Sequence, residues 1–568
     1  MNKIWQVAPP ISQEVMSNNP DLHPVILQLL HNRGLTEKLA INNFLQGAPL
    51  ADPFLFTNMQ AACELIIEHI KAGHKIAIAG DYDADGVTAS AVLSESLQAL
   101  QAKVAVWIPS RLGEGYGLNQ RIIDEVIADG CQLLITVDNG IKSQAEVAYA
   151  QEQGLAVIIT DHHTAPEIAA LPDCLIINPM APNQGYPYKA LAGVGVAFKL
   201  ATALINSSKL GSEQKKLLID SVLDLVAIGT VGDCVSLLGE NRDLVKQGLT
   251  RLNHRPRLGI NELLRVAGLQ LPINEWHIGW QIVPRLNVAG RLAHANSAYQ
   301  LLIAKDKTEA RASAQHLQEQ NISRQNMTKQ ILDACSRQVE TDMFKHQILI
   351  LLAPDVTVET DTSWPEGVVG LVAGRLSEKY HKPAVVICRS EGQLKGSARS
   401  LEQFNIVQAL DQVQDCLERY GGHKMAAGFT VKPDRLEELI DRLRVLAAQA
   451  LVEVDLRPQL KIDAELTCST IDDKLIDQLE ILAPFGTDNQ QPVFISHDCQ
   501  IADLVKIGNE GQHYRLSFGS NIGIAFSAGY KWPELKIGDK IDIVYHLEWN
   551  YFNGRKSLQL KILDIQYD

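Results

Sequence analysis

Hydrophobic residues between about residue 61 and residue 230 follow two alternating patterns. Short continuous runs rich in Ile, Val and Leu, typical of buried strands, are separated by longer stretches with helical spacing. The runs predict strands at 76–79, 104–108, 133–137, 157–160 and 175–177. The stretches between them predict helices at 59–72, 87–99, 120–128 and 143–153. This alternation indicates βαβ units, and therefore an α/β fold with a Rossmann-like parallel sheet within residues 61–305.

The pattern changes on either side of this region. Residues 1–60 have helical periodicity and predict a helical lead-in, and residues 306–345 contain no Pro or Gly between 308 and 344 and predict one long connecting helix. Strand-like runs and two helical stretches predict a second, smaller α/β domain at 346–455. Residues 456–568 consist of short alternating strands joined by Gly, Asn and Pro turns, which predicts a small β-barrel of the OB type.

Composition limits the class of protein. The chain has 568 residues, 46% of them hydrophobic and 21% charged, as in ordinary globular proteins of several domains. Nine dispersed cysteines indicate reduced thiols, and neither a signal peptide nor a run as long as a membrane span is evident, so we expect a cytoplasmic protein with no membrane partner. The net charge of -14 argues against binding duplex DNA by bulk electrostatics, but it allows a local basic groove.

Metal-ligating residue types follow four apolar runs, the three centred on 76–79, 133–137 and 157–160 and a fourth at 225–232, which we also interpret as a strand. These residues are Asp81, Asp83 and Asp85, then Asp138, then Asp161 with His162 and His163, and finally Asp233. The carboxyl ends of parallel strands meet at one edge of a sheet, where α/β folds build their sites. Hard oxygen ligands and imidazoles converging there indicate a metal-dependent hydrolase.

Each cluster alone has a simpler explanation. The aspartates at 81–85 can form a calcium loop or a solvated turn, although the glutamate at the end of a calcium loop is missing. A pair of histidines more often serves packing, and an aspartate after a strand often caps a helix. Four such clusters within one alternating segment are what favours a shared site.

The sequence resembles the DHH phosphoesterase family, and within it the exonucleases specific for single-stranded DNA. Asp83-x-Asp85, Asp138, Asp161-His162-His163 and Asp233 match the family's four acidic and histidine motifs. Further matching strings run through nearly the whole chain in order, among them Gly80-DYDADGVTA, Ser110-RLGEGYGLN, Gly193-VGVAFKL, Ile228-GTVGD, Val283-PRLNVAGRL, Lys395-GSARS, Gly421-GHKMAAG and Pro484-FGTDNQQPVF.

The resemblance implies two divalent ions, Mn²⁺ or Mg²⁺. Asp138 would bridge them, Asp83 would bind the first ion, and Asp85, His162 and Asp233 the second. His163 would contact a phosphate oxygen or orient the site, and Asp161 would fix the histidine pair. Many relatives have a histidine ligand at the position of Ala79, so Asp81 is expected to substitute at the first ion or that ion to bind weakly.

Several arginines and turn residues are candidates for holding the substrate, because the planar guanidinium pairs with two phosphate oxygens. The candidates are Arg111, Tyr116, Arg291, Ser397, Arg399 and His423. The resemblance assigns Arg111, Ser397 and Arg399 to the 5' end and His423 to the scissile region. Alternatives are interdomain salt bridges for the arginines, a buried turn for His423 and a core position for Tyr116.

The function that the resemblance implies is 5'-to-3' degradation of single-stranded DNA to mononucleotides in DNA repair and recombination. It implies a monomer, with a single-stranded-DNA-binding protein and a RecQ-type helicase as partners. The barrel has eight basic and eight acidic residues from Ile501 onward, so it can bind either protein or a DNA strand. Its candidate stacking aromatics are Tyr514, Phe518, Trp549, Tyr551 and Phe552. The alternatives are a DHH phosphodiesterase acting on small nucleotides and a catalytically silent replication scaffold.

Overall fold

The computed structural model describes residues 3–109, 117–292, 296–340, 345–357, 364–552 and 555–567. Its strands in chain order are β1 (Ile4–Val7), β2 (Lys75–Ala79), β3 (Lys103–Trp107), β4 (Cys131–Val137), β5 (Ala156–Thr160), β6 (Leu175–Ile177), β7 (Leu349–Leu352), β8 (Ala384–Ser390), β9 (Gln393–Arg399), β10 (Leu417–His423), β11 (Ala426–Val431), β12 (Gln459–Ile462), β13 (Ala464–Glu465), β14 (Phe494–Gln500), β15 (Asp503–Ile507), β16 (His513–Phe518), β17 (Asn521–Ala525), β18 (Lys540–Phe552) and β19 (Arg555–Gln566).

The described residues also form 22 α-helices. In chain order they are α1 (Gln13–Asn18), α2 (Pro24–Asn32), α3 (Lys38–Gln46), α4 (Met59–Lys71), α5 (Ala84–Ala99), α6 (Gln120–Ala128), α7 (Gln144–Glu152), α8 (Gly193–Ser207), α9 (Ser212–Ser221), α10 (Leu223–Gly232), α11 (Gly239–His254), α12 (Leu258–Ala267), α13 (Glu275–His277), α14 (Val283–Leu292), α15 (Asn296–Ile303), α16 (Lys307–Gln338), α17 (Pro354–Thr357), α18 (Glu366–Tyr380), α19 (Ile406–Asp411), α20 (Leu436–Leu451), α21 (Asp473–Glu480) and α22 (Ala528–Lys531).

The first α/β region is built on a five-stranded parallel sheet of order β3-β2-β4-β5-β6. The five predicted strands and the Rossmann-like alternation are confirmed. Strands β2, β4 and β5 are almost entirely buried, which explains why their sequences are continuous apolar runs without a polar face. Adjacent parallel strands place their carboxyl ends at the same edge, so residues 80–85, 138 and 161–163 meet there.

One predicted strand is wrong. The run at 225–232 is not a strand but part of the helix α10, which packs against α5 and α11. This helix is buried on nearly all sides, and an apolar run buried all round has neither the period of an amphipathic helix nor that of a half-buried strand. Asp233 therefore reaches the site from the end of a helix, not from the edge of the sheet.

The 32-residue helix α16 leads to the second α/β region. The sheet there has the order β10-β11-β9-β8-β7, with β7 and β8 parallel and the other neighbours antiparallel. Helix α18 packs against β8 and β9 and against α16. The predicted long helix and the smaller α/β arrangement are thus both present.

The C-terminal region is a seven-stranded sheet of order β13-β14-β18-β19-β17-β16-β15. Its core includes Tyr514 and Phe518, so these two of the five candidate aromatics are buried in the core and do not offer a face to a base. The Trp549 ring is covered by the ammonium of Lys556, 3.9 Å from its centroid. The side chains of Tyr551 and Phe552 lie outside the described residues.

The helical lead-in belongs to this C-terminal core. Ile26, Leu27 and Leu30 of α2 share one apolar cluster with residues of α21 and of the seven-stranded sheet. Strand β1, which the sequence pattern did not indicate, pairs in parallel with β12. Among the described helices, none has the length and apolar content needed to cross a lipid bilayer.

Candidate metal centre

The loop after β2 turns directly into helix α5, and Asp83 makes that turn. Its side chain caps the helix by accepting hydrogen bonds from the backbone N–H groups of Asp85 and Gly86, at 2.9 and 3.1 Å. Gly86 has no room for a side chain, because a Cβ would lie 2.6 Å from the backbone of Asp81. The close turn brings Asp81, Asp83 and Asp138 within 4.8 Å of one another through their carboxylate oxygens.

Asp85 is fixed by the beginning of another helix. Its two carboxylate oxygens accept the backbone N–H groups of Gly193 and Val194, the first residues of α8, at 2.7 and 2.8 Å. These N–H groups lack partners within the helix, and the helix dipole favours a negative charge there. The buried carboxylate is therefore oriented by backbone atoms, which a side-chain rotation cannot disturb.

Asp138 follows β4 in the left-handed backbone region, with φ of 63°. The side-chain N–H₂ of the next residue, Asn139, donates to the carbonyls of Ala79 and Val137 and so joins the ends of β2 and β4. A Cβ on Gly193 would lie 2.6 Å from Asp138 Oδ1. Because residue 193 has no side chain, Asp138 can pack against it while its backbone N–H donates to Asp85.

Asp161 organises the histidine pair. Its Oδ1 accepts the backbone N–H groups of His162 and His163 and also contacts Nδ1 of His163 at 2.7 Å, while Oδ2 accepts the N–H of Ile141 at 3.0 Å. All of its bonds are thus to neighbouring backbone or to His163. This contact pattern agrees with a supporting role for Asp161 beside the two imidazoles.

His162 is the point where the separate clusters meet. Its Nε2 lies 3.1 Å from Asp138 Oδ1, 3.6 Å from Asp233 Oδ2 and 4.0 Å from Asp85 Oδ2. Asp233 is placed by the last turn of α10, where its N–H donates to the carbonyl of Gly229 at 2.8 Å. The sequence-predicted residues at 81, 83, 85, 138, 162, 163 and 233 therefore come together, although four separate segments supply them.

The groups fit a pair of divalent cations. The ligand atoms form two sets within 4.8 Å, one of Asp81, Asp83 and Asp138 and another of Asp85, His162 and Asp233. A third set of Asp138, His162 and His163 shares one residue with each of these two. Within the described residues, no hydrogen-bond donor or acceptor satisfies the buried Nε2 of His162 or Oδ2 of Asp233. Buried polar atoms are normally satisfied, so these two atoms are arranged for a ligand that the polypeptide does not supply. Carboxylates with one neutral imidazole suit Mn²⁺ or Mg²⁺.

The pKa values reflect crowding of negative charge. Burial and the neighbouring carboxylates raise the pKa of Asp85 to about 7 and that of Asp233 to about 9, and they raise the pKa of Asp138 well above its usual range. Burial and the nearby His163 lower the pKa of His162 to about 4, so it is neutral at pH 7. Burial also lowers the pKa of His163, but the bond and charge of Asp161 outweigh it and leave that pKa raised.

The substrate candidates of the second α/β region lie on its strands β9 and β10. Ser397 and Arg399 lie on one face of β9 beside Gly370 of α18, where a Cβ would come 2.9 Å from Ser397 Oγ. Ser397 lines an open cavity of about 360 Å³, and His423 lies exposed at the end of β10. Arg111 and Tyr116 lie outside the described residues, as does the side chain of Arg291.

Two glycines matter in a way that the sequence analysis did not recognise. Gly193 makes room for Asp138, and a Cβ on Gly229 would lie 2.2 Å from Thr88 Oγ1 and 2.9 Å from Asp85 Oδ1. Gly229 lies inside an apolar helix, where glycine is unfavourable and so indicates a close approach of neighbours, and Gly193 is the first residue of another apolar helix. That signal was available in the strings at 193–199 and 228–233, but it does not say which neighbour approaches.

Comparisons with known proteins place this architecture in a class. The chain matches the DHH family, N-terminal domain, over residues 75–230. It also matches the DHHA1 domain over 353–449 and the RecJ OB domain over 462–564. The fold and the acidic site are therefore those of a DHH-type, metal-dependent hydrolase.

Relatives that match nearly the whole chain identify the family within this class. The single-stranded-DNA-specific exonuclease RecJ of Bacillus subtilis is 37% identical, over 99% of this chain and 70% of its own length. RecJ of Haemophilus influenzae is 32% identical, over 96% of this chain and 97% of its own. The crystal structure of RecJ from Thermus thermophilus in complex with Mn²⁺ superimposes with a TM-score of 0.83 at 29% identity, covering all of this chain and 80% of that one. A Mg²⁺ complex of RecJ from the same organism gives 0.78 at 28% identity, with 100% and 78% coverage. The chain belongs to the RecJ family.

Proposed function

We propose that this protein is a metal-dependent exonuclease that removes 5'-mononucleotides from the 5' end of single-stranded DNA, in DNA repair and recombination. The observation that carries the proposal is the meeting of four carboxylate and imidazole clusters around Nε2 of His162. The names of the full-length relatives support the substrate, and the Mn²⁺ and Mg²⁺ complexes of RecJ support the identity of the cations.

The residues divide into two cation positions. Asp83 and Asp81 hold the first, with Asp81 in place of the histidine that Ala79 does not supply. Asp85, His162 and Asp233 hold the second, and Asp138 belongs to both. Bound there, a pair of divalent cations lowers the pKa of an attacking water and offsets the charge of the phosphodiester.

The two histidines act differently. Neutral His162 presents the lone pair of Nε2, because its ring makes a hydrogen bond to the backbone of Leu191. His163 is held by Asp161 through Nδ1, and its raised pKa favours the imidazolium, whose Nε2–H donates to a phosphate oxygen. Asp161 thus orients the ring of His163 and holds the backbone of His162 without being a ligand itself.

Substrate contacts come from other regions. Ser397 and Arg399 of β9 hold the 5' end together with Arg111, and His423 approaches the scissile phosphate. Arg291 and Tyr116 contact the strand further along, through phosphate and base respectively. The OB domain binds single-stranded DNA, which is supported by its family and by the single-stranded-DNA specificity of the named relatives.

The cellular setting is proposed in the same way. The protein acts as a monomer in the cytoplasm, recruited by a single-stranded-DNA-binding protein and a RecQ-type helicase. All nine cysteines lie in described parts of the chain and are free thiols, which suits a reducing compartment. Light scattering and pull-down with each purified partner test these points.

A nuclease assay tests the activity. Purified full-length protein with Mn²⁺ is given single-stranded and duplex oligonucleotides labelled near the 5' or the 3' end, beside an Asp138→Ala control. We expect early release of the 5' label as a mononucleotide from the single strand only. Equal rates on duplex, early release of the 3' label or an active control would contradict the proposal. Hydrolysis of dinucleotides with oligonucleotides left intact would favour a small-nucleotide phosphodiesterase instead.

A further inference from the structure

Most of the string Pro484-FGTDNQQPVF belongs to a segment that connects the C-terminal region to the first α/β region with the helices that follow it, which we call the catalytic domain. We call residues 481–490 the bracing segment. Arg242, almost fully buried, donates to the carbonyls of Ile481 and Leu482 at 2.9 Å each. Glu275 accepts the backbone N–H of Phe485, also at 2.9 Å. Two residues of the catalytic domain thus hold the start and the middle of the segment.

The bracing segment is internally rigid. The fully buried amide of Asn489 donates to the carbonyls of Leu482 and Pro484 at 2.9 and 2.7 Å, and its Oδ1 accepts Nε of Arg33 at 2.9 Å. The backbones of Gly486 and Asn489 bond to each other in both directions. Such a satisfied buried network fixes one conformation of the turn between these residues.

The tip of this turn touches the loop that follows Asp233. Thr487 Oγ1 donates to the carbonyl of Cys234 at 2.7 Å, and the carbonyl of Thr487 accepts the N–H of Leu237 at 2.9 Å. Gly486 packs so closely on Leu237 that a Cβ would lie 2.6 Å from its Cδ1. The loop is therefore held at both ends by the C-terminal region.

The loop needs this support because Cys234 has φ of 60°, in the left-handed region that non-glycine residues rarely adopt. Strained residues persist where the surroundings hold them, and they occur often beside functional groups. The strained residue, Cys234, directly follows Asp233. Oδ2 of Asp233 lies 3.6 Å from His162 Nε2. We therefore expect a relaxed turn at Cys234 to shift the Asp233 carboxylate relative to His162.

We propose that Thr487 is a positioning residue for the metal centre, because its hydroxyl holds the Cys234 turn and so aims the Asp233 carboxylate at the second cation position. The inference rests on the proposed role of Asp233 as a ligand. It makes the C-terminal region an indirect contributor to metal affinity, acting through Cys234 and Asp233, in addition to any contact that this region makes with DNA.

The test compares Thr487→Val, which removes the hydroxyl and keeps the shape, with Thr487→Ser, which keeps the hydroxyl. Thr470→Val is the matched control, because Thr470 Oγ1 makes a similar bond to the carbonyl of Thr467 within the C-terminal region. Mn²⁺ affinity of the metal-free full-length protein is measured by titration calorimetry. Since the lost bond is exposed, we expect a rise in Kd of about three- to tenfold for Thr487→Val and none for the other two.

Two further readouts separate positioning from general damage. At saturating Mn²⁺, kcat of Thr487→Val should be within about twofold of the parent, because the metal restores the geometry. Hydrogen exchange at the Leu237 amide should speed up in the metal-free variant and return toward the parent rate with Mn²⁺. An unchanged Kd and exchange rate, or an equal loss in Thr487→Ser, would overturn the proposal.

An Asp233→Ala variant shows which idea has failed. If Asp233→Ala keeps the parent Mn²⁺ affinity, Asp233 is not a ligand and the proposed site itself is wrong. If Asp233→Ala loses affinity while Thr487→Val does not, the site stands and only the role of Thr487 is rejected.

Discussion

The metal centre and the open face of the second α/β region handle polar groups in opposite ways. At the metal centre, Asp85 and Asp138 are buried, and backbone N–H groups or tight glycine contacts fix their positions. Around β9 to β11, Ser397 and Arg399 are half-buried, His423 is exposed, and the cavity is open to solvent.

This difference in burial and hydrogen bonding indicates that the metal centre is the more rigid of the two places. Crowded carboxylates have raised pKa values, and the packed structure keeps them together despite their repulsion. A rigid arrangement is needed where two cations must be held at fixed positions. If the open face holds the DNA strand, as we propose, its contacts must re-form after each cleavage, and side chains that border an open cavity are suited to that. Substitutions at the two places should therefore differ in kind.

The largest effect is expected for Asp138→Ala, because we propose that this carboxylate belongs to both cation positions. We expect kcat to fall by at least about a thousandfold at every Mn²⁺ concentration. The metal-free protein should be no less stable than the parent, since a buried carboxyl crowded by other carboxyl groups is removed. Rate assays and thermal melts check both, and a variant that regains the parent kcat at high Mn²⁺ would show that Asp138 is not shared.

A pair of glycine substitutions sharpens the contrast. Gly193→Ala places a Cβ 2.6 Å from Asp138 Oδ1, whereas a Cβ on Gly428, beside the cavity, meets no atom within 4 Å. We expect Gly193→Ala to lose about 1–3 kcal/mol of unfolding free energy and to bind Mn²⁺ more weakly. Gly428→Ala should stay within about 0.5 kcal/mol of the parent. Similar denaturation curves for the two variants would contradict the rigid description of the centre.

At the open face, Arg399→Ala should raise KM for a 5'-phosphorylated single strand by about tenfold and change kcat little. Arg399→Lys should fall between the parent and Arg399→Ala, because it keeps the charge but loses the planar fork. Steady-state kinetics at two salt concentrations provide the measurement, with the loss greater at low salt. A fall in kcat without a change in KM would place Arg399 in the chemical step.

The smallest effect concerns pH. In the metal-free protein the raised pKa values favour protonated Asp85 and Asp233, so the folded state is penalised progressively as pH rises from about 4 toward about 9. Cations at the proposed positions would bind the ionised forms and remove that penalty. The rise in Tm on adding Mg²⁺ should therefore be larger at about pH 8 than at about pH 6, by a few degrees. Differential scanning calorimetry measures this rise in Tm. A larger rise at the lower pH would contradict the interpretation that crowded carboxyl groups destabilise the metal-free protein as they ionise.

The sequence predicted the parts of the molecule that depend on local pattern. Buried strands such as β2 and β4 are continuous apolar runs, and each is followed by residues that can bind a metal. Their shared edge follows from parallel pairing, so the grouping of Asp83, Asp138 and His162 was predictable. The helix α10 was missed because burial on all sides removes the periodicity that distinguishes helix from strand.

Long-range contacts were out of reach. Nothing in the pattern of residues 4–7 says that they pair with residues 459–462, and nothing in Thr487 says that it meets Cys234. Gly193 and Gly229 indicated close packing, but only the fold shows that carboxylates are what they approach. The roles of Ser397, Arg399 and His423 stay predictions, because they depend on a strand of DNA lying between the two α/β regions.

The pairing of β1 with β12 and the shared core of α2 have a consequence for biosynthesis. Leu27 and Leu30 leave the ribosome early, whereas their apolar neighbours in α21 and the seven-stranded sheet are translated last. During most of translation, the apolar face of helix α2 therefore has no partner to pack against. A nascent chain of this kind is a natural client for chaperones at the exit tunnel.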